Sequence, residues 1–466
     1  MVSSASARHG RKELLIRASF GIVCLLAVAT VAGGAAAETL VEAMAAAYRN
    51  NPTLLGQRAA LRASDEQVPE ALSGWRPTVT VTGDIGKADV ETTTAFFSSE
   101  EKRTPRSLTL NLSQPLFRGG RTMAEVRQAE NLVLADRARL AEVEQDVLLD
   151  VAAAYMDVLR DQAVLDLAVR NEQRLRRQLE AAQDRFDVGE VTRTDVAQAQ
   201  ARVSTAVADR VRAHGDLVNA RASYLNVVGR LPGALSTPPA LAGLPGSETR
   251  SREIAVAEHP TIQRAISNER AARDEVALVF GELLPSLNLD GELRRAEDTA
   301  SRGSVTERAQ ITARLSVPLY QTGAVTARLR AAREVASQRR IEIERNRRAV
   351  LENVSVAWES LRTARAQIAA FGDAVRAAEI ALDGVTQEAA VGSRTTLDVL
   401  DAEQELFDAQ VNLVRAERDE VVASFALQGA IGRLTAARLG LPVRIYDERR
   451  HYDAVRNKLW GIRGDD

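Results

Sequence analysis

The sequence predicts a mainly α-helical protein with a β-barrel part, made twice over from one unit of helix, strand pair and long helical hairpin. Three observations predict it. Aromatic residues make up only 4% of the 466 positions, and long stretches are dominated by Ala, Arg, Glu, Gln, Leu and Val. That mix at helical spacing marks long helices or coiled coil rather than a compact core. The chain also aligns with itself over most of its length. Finally, the hydrophobic period changes from that of a helix to that of a strand and back, once in each copy.

The duplication is read from paired motifs. Asn51-Pro52-Thr53 returns 208 positions later as His259-Pro260-Thr261, and Pro77 returns as Pro285. Further on the shift is 203: Ser113-Gln114-Pro115-Leu116-Phe117 becomes Ser316-Val317-Pro318-Leu319-Tyr320, Val188-Gly189 becomes Val391-Gly392, and Gly229-Arg230 becomes Gly432-Arg433. One loop five residues shorter accounts for the change. A period this long means a duplicated domain rather than a solenoid. The units cover residues 38–230 and 254–440, joined by a Pro/Gly-rich connector at 231–253 and followed by a tail at 441–466.

Each unit opens with a helix, about 40–72 and 252–283. Pro77 and Pro285 then introduce segments in which apolar and polar residues alternate: Val79, Val81 and Ile85, then Leu108, Leu110 and Leu112, and in the second copy Leu287 and Leu289, then Ile311, Ala313 and Leu315. Strict alternation predicts strands with one apolar face, at about 77–86, 107–117, 285–294 and 309–320. Polar loops are expected between them, at about 87–106 and 295–308. Hairpins of two long helices follow, at about 119–230 and 322–435. Apolar residues there step by threes, fours and sevens, from Ala154 through Leu175 to Phe186 and from Val354 to Ala378, a coiled-coil-like seam. Gly189 and Gly392 mark the turns.

The N-terminus carries a basic region from Arg8 to Arg17, an apolar stretch from Phe20 to Val31, and Ala35-Ala36-Ala37 before Glu38. This is the three-part build of a secretory signal, expected over residues 1–37. A permanent anchor would need roughly 20 apolar residues, more than are present. The only cysteine, Cys24, leaves with the signal, and so does a net charge of +3, which takes the mature chain from −2 to −5. No later segment has the length and apolarity of a membrane-spanning helix, so an exported chain of this kind is either soluble or inserted as strands.

Four strands cannot close a membrane barrel, which needs at least eight. An open sheet in lipid would leave backbone edges unsatisfied at several kcal/mol per group. The strands are therefore expected to be pooled between subunits.

The run Val391-Gly392-Ser393-Arg394-Thr395-Thr396-Leu397-Asp398-Val399-Leu400-Asp401-Ala402 resembles the periplasmic tip signature of TolC-type outer-membrane factors. Val188-Gly189-Glu190-Val191-Thr192-Arg193-Thr194-Asp195-Val196 is its weaker counterpart, and the duplicated layout extends the resemblance over nearly the whole mature chain. The resemblance implies an outer-membrane export channel of a Gram-negative bacterium. It implies a homotrimer pooling twelve strands in outer-membrane lipid, a tunnel of twelve helices in the periplasm, and docking with an inner-membrane transporter and its adaptor. The tail around Tyr446 and Asn457-Lys458-Leu459-Trp460-Gly461 resembles the branch serving type I protein secretion, with multidrug efflux the alternative. It further implies a periplasmic constriction at Asp398 and Asp401, and a latch and docking tip at Gly189, Thr194, Asp195, Gly392 and Arg394. One departure is Ala389-Ala390, where the family's aromatic latch residue would stand.

The rest of the sequence excludes other classes. Its four histidines fall at unrelated places, and no catalytic, cofactor or metal motif is present. His259 is expected at the surface of a helix start. Arg174-Leu175-Arg176-Arg177 and Arg339-Arg340 alternate with acids, as solvated helix faces do, and the net charge gives no footprint for nucleic acid. A soluble periplasmic coiled-coil adaptor is the remaining rival; it would lack two amphipathic strand pairs.

Overall fold

A computed structural model describes residues 37–461. The proposed signal, through residue 36, lies outside the described residues. The first unit holds α1 (Leu40–Asn50), α2 (Pro52–Asp65), α3 (Gln67–Ser73), β1 (Thr78–Ile85), β2 (Ala88–Thr94), β3 (Phe97–Arg103), β4 (Arg106–Arg118), α4 (Arg121–Asp187) and α5 (Arg193–Val228). The second holds α6 (Glu248–Glu258), α7 (Pro260–Gly281), β5 (Ser286–Glu297), β6 (Val305–Ser316), α8 (Ala324–Ala390) and α9 (Thr396–Ala430), with α10 (Arg450–Val455) in the tail. Both α4 and α8 run for 67 residues, about 100 Å at 1.5 Å per residue.

The opening helices are broken where single helices were expected. Proline has no N–H to continue the ladder and restricts the residue before it. Pro52 therefore starts α2, with Asn51 Oδ1 accepting the Thr53 N–H at 2.9 Å. Pro260 starts α7 in the same way, and His259 takes the capping role: its Nδ1 accepts the Thr261 N–H at 3.2 Å. His259 is thus a half-buried cap and not the surface residue expected.

That nitrogen accepts only while unprotonated. Burial holds the His259 pKa below its ordinary 6.5. On acidification the unfolded chain takes up the proton first. The cap's contribution is therefore full above 6.5 and lost as pH falls through the lower folded value. His259→Asn, which caps without titrating, should flatten the loss of stability between pH 7 and 5 by about 1 kcal/mol. Unfolding midpoints across that range check this; parallel profiles for the two proteins would refute it.

The main sheet has the order β1-β4-β5-β6, antiparallel throughout. Directly paired residues share a face, so Val79 with Leu112, Val81 with Leu110, Leu110 with Leu293, and Gly291 with Ile311 make one continuous apolar surface. It is bare: Val81 is 66%, Leu315 64% and Ile311 81% exposed. The other face carries Thr80, Thr82, Thr109, Asn111, Ser113, Asp290 and Thr312. A sheet packed on the helices would bury its apolar side; this one presents it outward. Among the described residues β1 and β6 are each paired on one side only.

Two strand expectations change. The segment 87–106 is not a loop but holds the β2–β3 hairpin. Its Thr, Ser and Glu residues lack the alternation that marks a strand with a buried face. The last strand spans Val305–Ser316 rather than 309–320. Pro318 supplies no N–H to extend it. In β4, by contrast, Pro115 is kept in the strand by a register shift between Pro115 and Phe117.

The largest core lies midway along the helices. Tyr155 and Tyr224 are fully buried there, with Leu148, Val151, Leu434 and Ala436 in the same cluster. The Tyr155 hydroxyl donates to the Glu38 carbonyl at 2.7 Å, and the Glu38 carboxylate accepts from Tyr224 and Arg230. The tail straps this region: Arg58 lies between the Tyr48 and Tyr446 rings at 4.4 and 5.1 Å, and His451 meets Asp65 at 3.2 Å. No described helix is long and apolar enough to cross a membrane.

Candidate functional site

At the end of the molecule far from the sheet each helical hairpin turns, and the two turns are built alike. In the first, Gly189 takes φ +82°, a left-handed conformation that favours glycine. The Glu190 N–H donates to the Arg185 carbonyl at 2.8 Å and closes the last turn of α4. Thr192 then caps α5: its hydroxyl accepts the Asp195 N–H, while Asp195 Oδ2 accepts the Thr192 N–H at 2.8 Å. The second turn repeats this with Gly392 at φ +78°, Ser393 donating to the Glu388 carbonyl, and Thr395 and Asp398 as the reciprocal pair. The shared spacing Gly-x-x-Thr-x-x-Asp is therefore a helix stop followed at once by a helix start.

These bonds fix two of the expected site carboxylates. Hydrogen bonds from the Thr395 N–H and hydroxyl hold the Asp398 pKa below the usual carboxylate range; those from Thr192 do the same for Asp195. Asp401 sits one turn further along α9, and its Oδ1 meets Arg202 Nη2 of α5 at 2.5 Å. It is a paired acid and not a lone one. Arg394 donates from Nε to Glu388 Oε2 at 2.9 Å within its own turn. Among the described residues no hydrogen bond joins Arg394 to Thr194 or Asp195.

Above the tip, α9 packs onto the first hairpin. Leu400 is 1% exposed and shares a cluster with Leu175 and Ala182 of α4 and Ala199, Val203 and Ala206 of α5. Glu403 Oε2 lies 2.8 Å from Arg174 Nε, a charge contact without hydrogen-bond alignment, and burial raises the Glu403 pKa despite that arginine. Further up, Arg418 donates to Asp157 at 2.9 Å. Sequence reasoning missed Thr192 and Thr395, which the Thr-x-x-Asp pattern could have disclosed. The solvated face expected at Arg174-Leu175 is not one: Leu175 is buried and Arg174 meets Glu403. Arg202 and Glu403 were missed, because their partners lie roughly 200 to 230 positions away and leave no local signal.

A four-stranded sheet with a bare apolar face, joined to two long helical hairpins with matching tips, defines an outer-membrane channel subunit. The outer membrane efflux protein family model matches residues 44–230 and 252–433, and the chain belongs to that family. It is 40% identical over 440 residues to the outer membrane efflux protein BepC of Brucella suis biovar 1, covering 94% of this chain and 95% of that one. The outer membrane protein TolC of Vibrio cholerae is 29% identical over 420 residues, 88% of this chain and 94% of its own. The Campylobacter jejuni CmeC outer membrane channel superposes with a TM-score of 0.77 at 15% identity, over 90% of this chain and 89% of that one, a likeness of fold alone. The TolC-like expectation is thereby met. The protein is an efflux or secretion channel of the Gram-negative outer membrane, with its helical tunnel in the periplasm.

Proposed function

We propose that three copies pool their sheets into a twelve-strand barrel and their hairpins into one tunnel. The tunnel docks by its Gly189 and Gly392 turns with an inner-membrane transporter and its adaptor. The observation that carries this is the open sheet: among the described residues both its edges are unpaired and its apolar face is bare, a state that lipid penalises unless neighbouring copies close it. The conduit serves type I protein secretion, a reading supported by the tail's likeness to that branch. The name of BepC favours the second reading, efflux. Removal of residues 1–37 would leave Glu38 first, its carbonyl held by Tyr155.

Asp398 and Asp401 form the acidic constriction of this conduit. Arg394 exchanges Glu388 for Thr194 and Asp195 of a neighbouring hairpin when the tip is shut. In planar bilayers the purified protein should form channels, and Arg394→Ser should raise their conductance. Wild-type protein that inserts without conducting would overturn the channel assembly. Arg394→Ser at wild-type conductance, with normal assembly, would place the latch elsewhere.

A further inference from the structure

We propose that Arg202 and Asp401 form a clasp inside each protomer that holds the second hairpin against the first near the tip, and that Arg202 masks part of the acidic constriction. This rests on the tip being the closing end of the conduit, as proposed above.

The clasp is seen in how α9 leaves its turn. Leu400 plugs into the α4–α5 hairpin, and a charge pair stands on either side of it. Arg202–Asp401 reaches α5 and Arg174–Glu403 reaches α4. Residues 400, 401 and 403 thus tie one helix to both helices of the other hairpin within a single turn. Arg202 is also the one cation among the residues lining the groove it enters, where Asp401, Glu405 and Asp408 supply three carboxylates. Ala389 and Ala390, by contrast, offer neither ring nor side-chain donor with which to bridge the hairpins.

The duplication shows that this pairing is not inherited from the repeat. The counterpart of Arg202, 203 positions on, is Glu405; those of Asp401 and Glu403 are Gln198 and Gln200. In the first hairpin both acid positions are neutral, and in the second the cation has become an acid. The two copies therefore differ in complementary senses across the surface where they meet.

Three variants read out the clasp by planar-bilayer conductance and reversal potential: Arg202→Gln, Asp401→Asn, and the exchange Arg202→Asp with Asp401→Arg. Breaking a partly exposed ion pair shifts an equilibrium by up to about fivefold. Both single variants should raise conductance or open probability on that scale per protomer, and the exchange should bring it back. Their selectivities should move apart: Arg202→Gln frees an acid and raises cation preference, while Asp401→Asn removes one and lowers it. If Arg202→Gln fails to assemble, Asp401→Asn breaks the same pair from the other side with almost no change of shape. Wild-type conductance in the single variants overturns the clasp alone. Absence of any wild-type channel overturns the conduit reading and the clasp with it.

Discussion

Val81→Pro on β1 should leave the chain folded yet unable to form a stable trimer. The Gly86 N–H donates to the Pro105 carbonyl at 2.9 Å. Alternation along an antiparallel pair then turns the N–H groups of Thr82 and Asp84 toward β4, and those of Val81 and Val79 toward the open edge. Proline at Val81 removes one edge donor and spares the β1–β4 ladder. If β1 of one copy pairs with β6 of the next, all three seams lose a bond where lipid offers no substitute, at several kcal/mol per group. Light scattering in detergent should show the trimer fraction falling at least tenfold with helix content unchanged. Thr82→Pro, which damages the internal ladder, serves as the contrast. A Val81→Pro trimer as stable as wild type would mean that this edge takes no part in assembly.

The second large effect is expected at the constriction. In a trimer, Asp398 and Asp401 place two levels of acid one helical turn apart. Where the tunnel is narrowest these charges fall within or near the ~8 Å screening length of physiological salt and act together. Rings of this kind favour cations and repel anions. The channel should be cation-selective, lose selectivity as salt rises, and be blocked from the periplasmic side by multivalent cations. With Asp398→Asn and Asp401→Asn combined, the permeability ratio should fall toward unity and the block should vanish, while conductance rises because the Arg202 partner is gone. Conservation of selectivity and block in this variant would make both residues ordinary surface acids.

A pH titration adds an independent check. The Asp398 pKa is depressed by its bonds to Thr395. The capping contribution is therefore present above the ordinary aspartate value of 3.8 and lost as pH falls through the lower folded one. Selectivity that rests on Asp398 should persist to below pH 4. Loss of selectivity at pH 5 would point to a different carboxylate.

Much of the fold was legible in the sequence because it is written in local periods. Period two from Val79 to Ile85 and from Leu108 to Leu112 could only mean a strand with one apolar face. The glycines at 189 and 392 located the hairpin turns to within a residue or two, whereas the Asn-Pro and His-Pro steps were read only as marks of the duplication and the helix breaks at Pro52 and Pro260 went unseen. What local pattern failed to disclose were segments with no apolar face, such as the β2–β3 hairpin, whose Thr and Ser residues pair through backbone and hydroxyl bonds. His259 escaped for a related reason. Its sequence context says helix start, but burial and the Thr261 bond are what make it a neutral cap.

The amino-acid sequence by itself determined the duplication, the order of the long helices and amphipathic strands, the apolar alternation of those strands and the position of the two hairpin turns. Apart from the duplication, which the sequence shows by repeating its own motifs, these depend on residues within one or two turns of each other, where spacing alone fixes which side chains share a face. Only the tertiary structure decided that Asp401 is a paired acid, that Leu400 plugs the first hairpin, and that Arg174 and Arg202 belong to the tip. Those partners lie about 200 positions apart in the chain. They meet because two long helical hairpins pack side by side, and neither helical period nor charge count records which turn of one lies against which turn of the other.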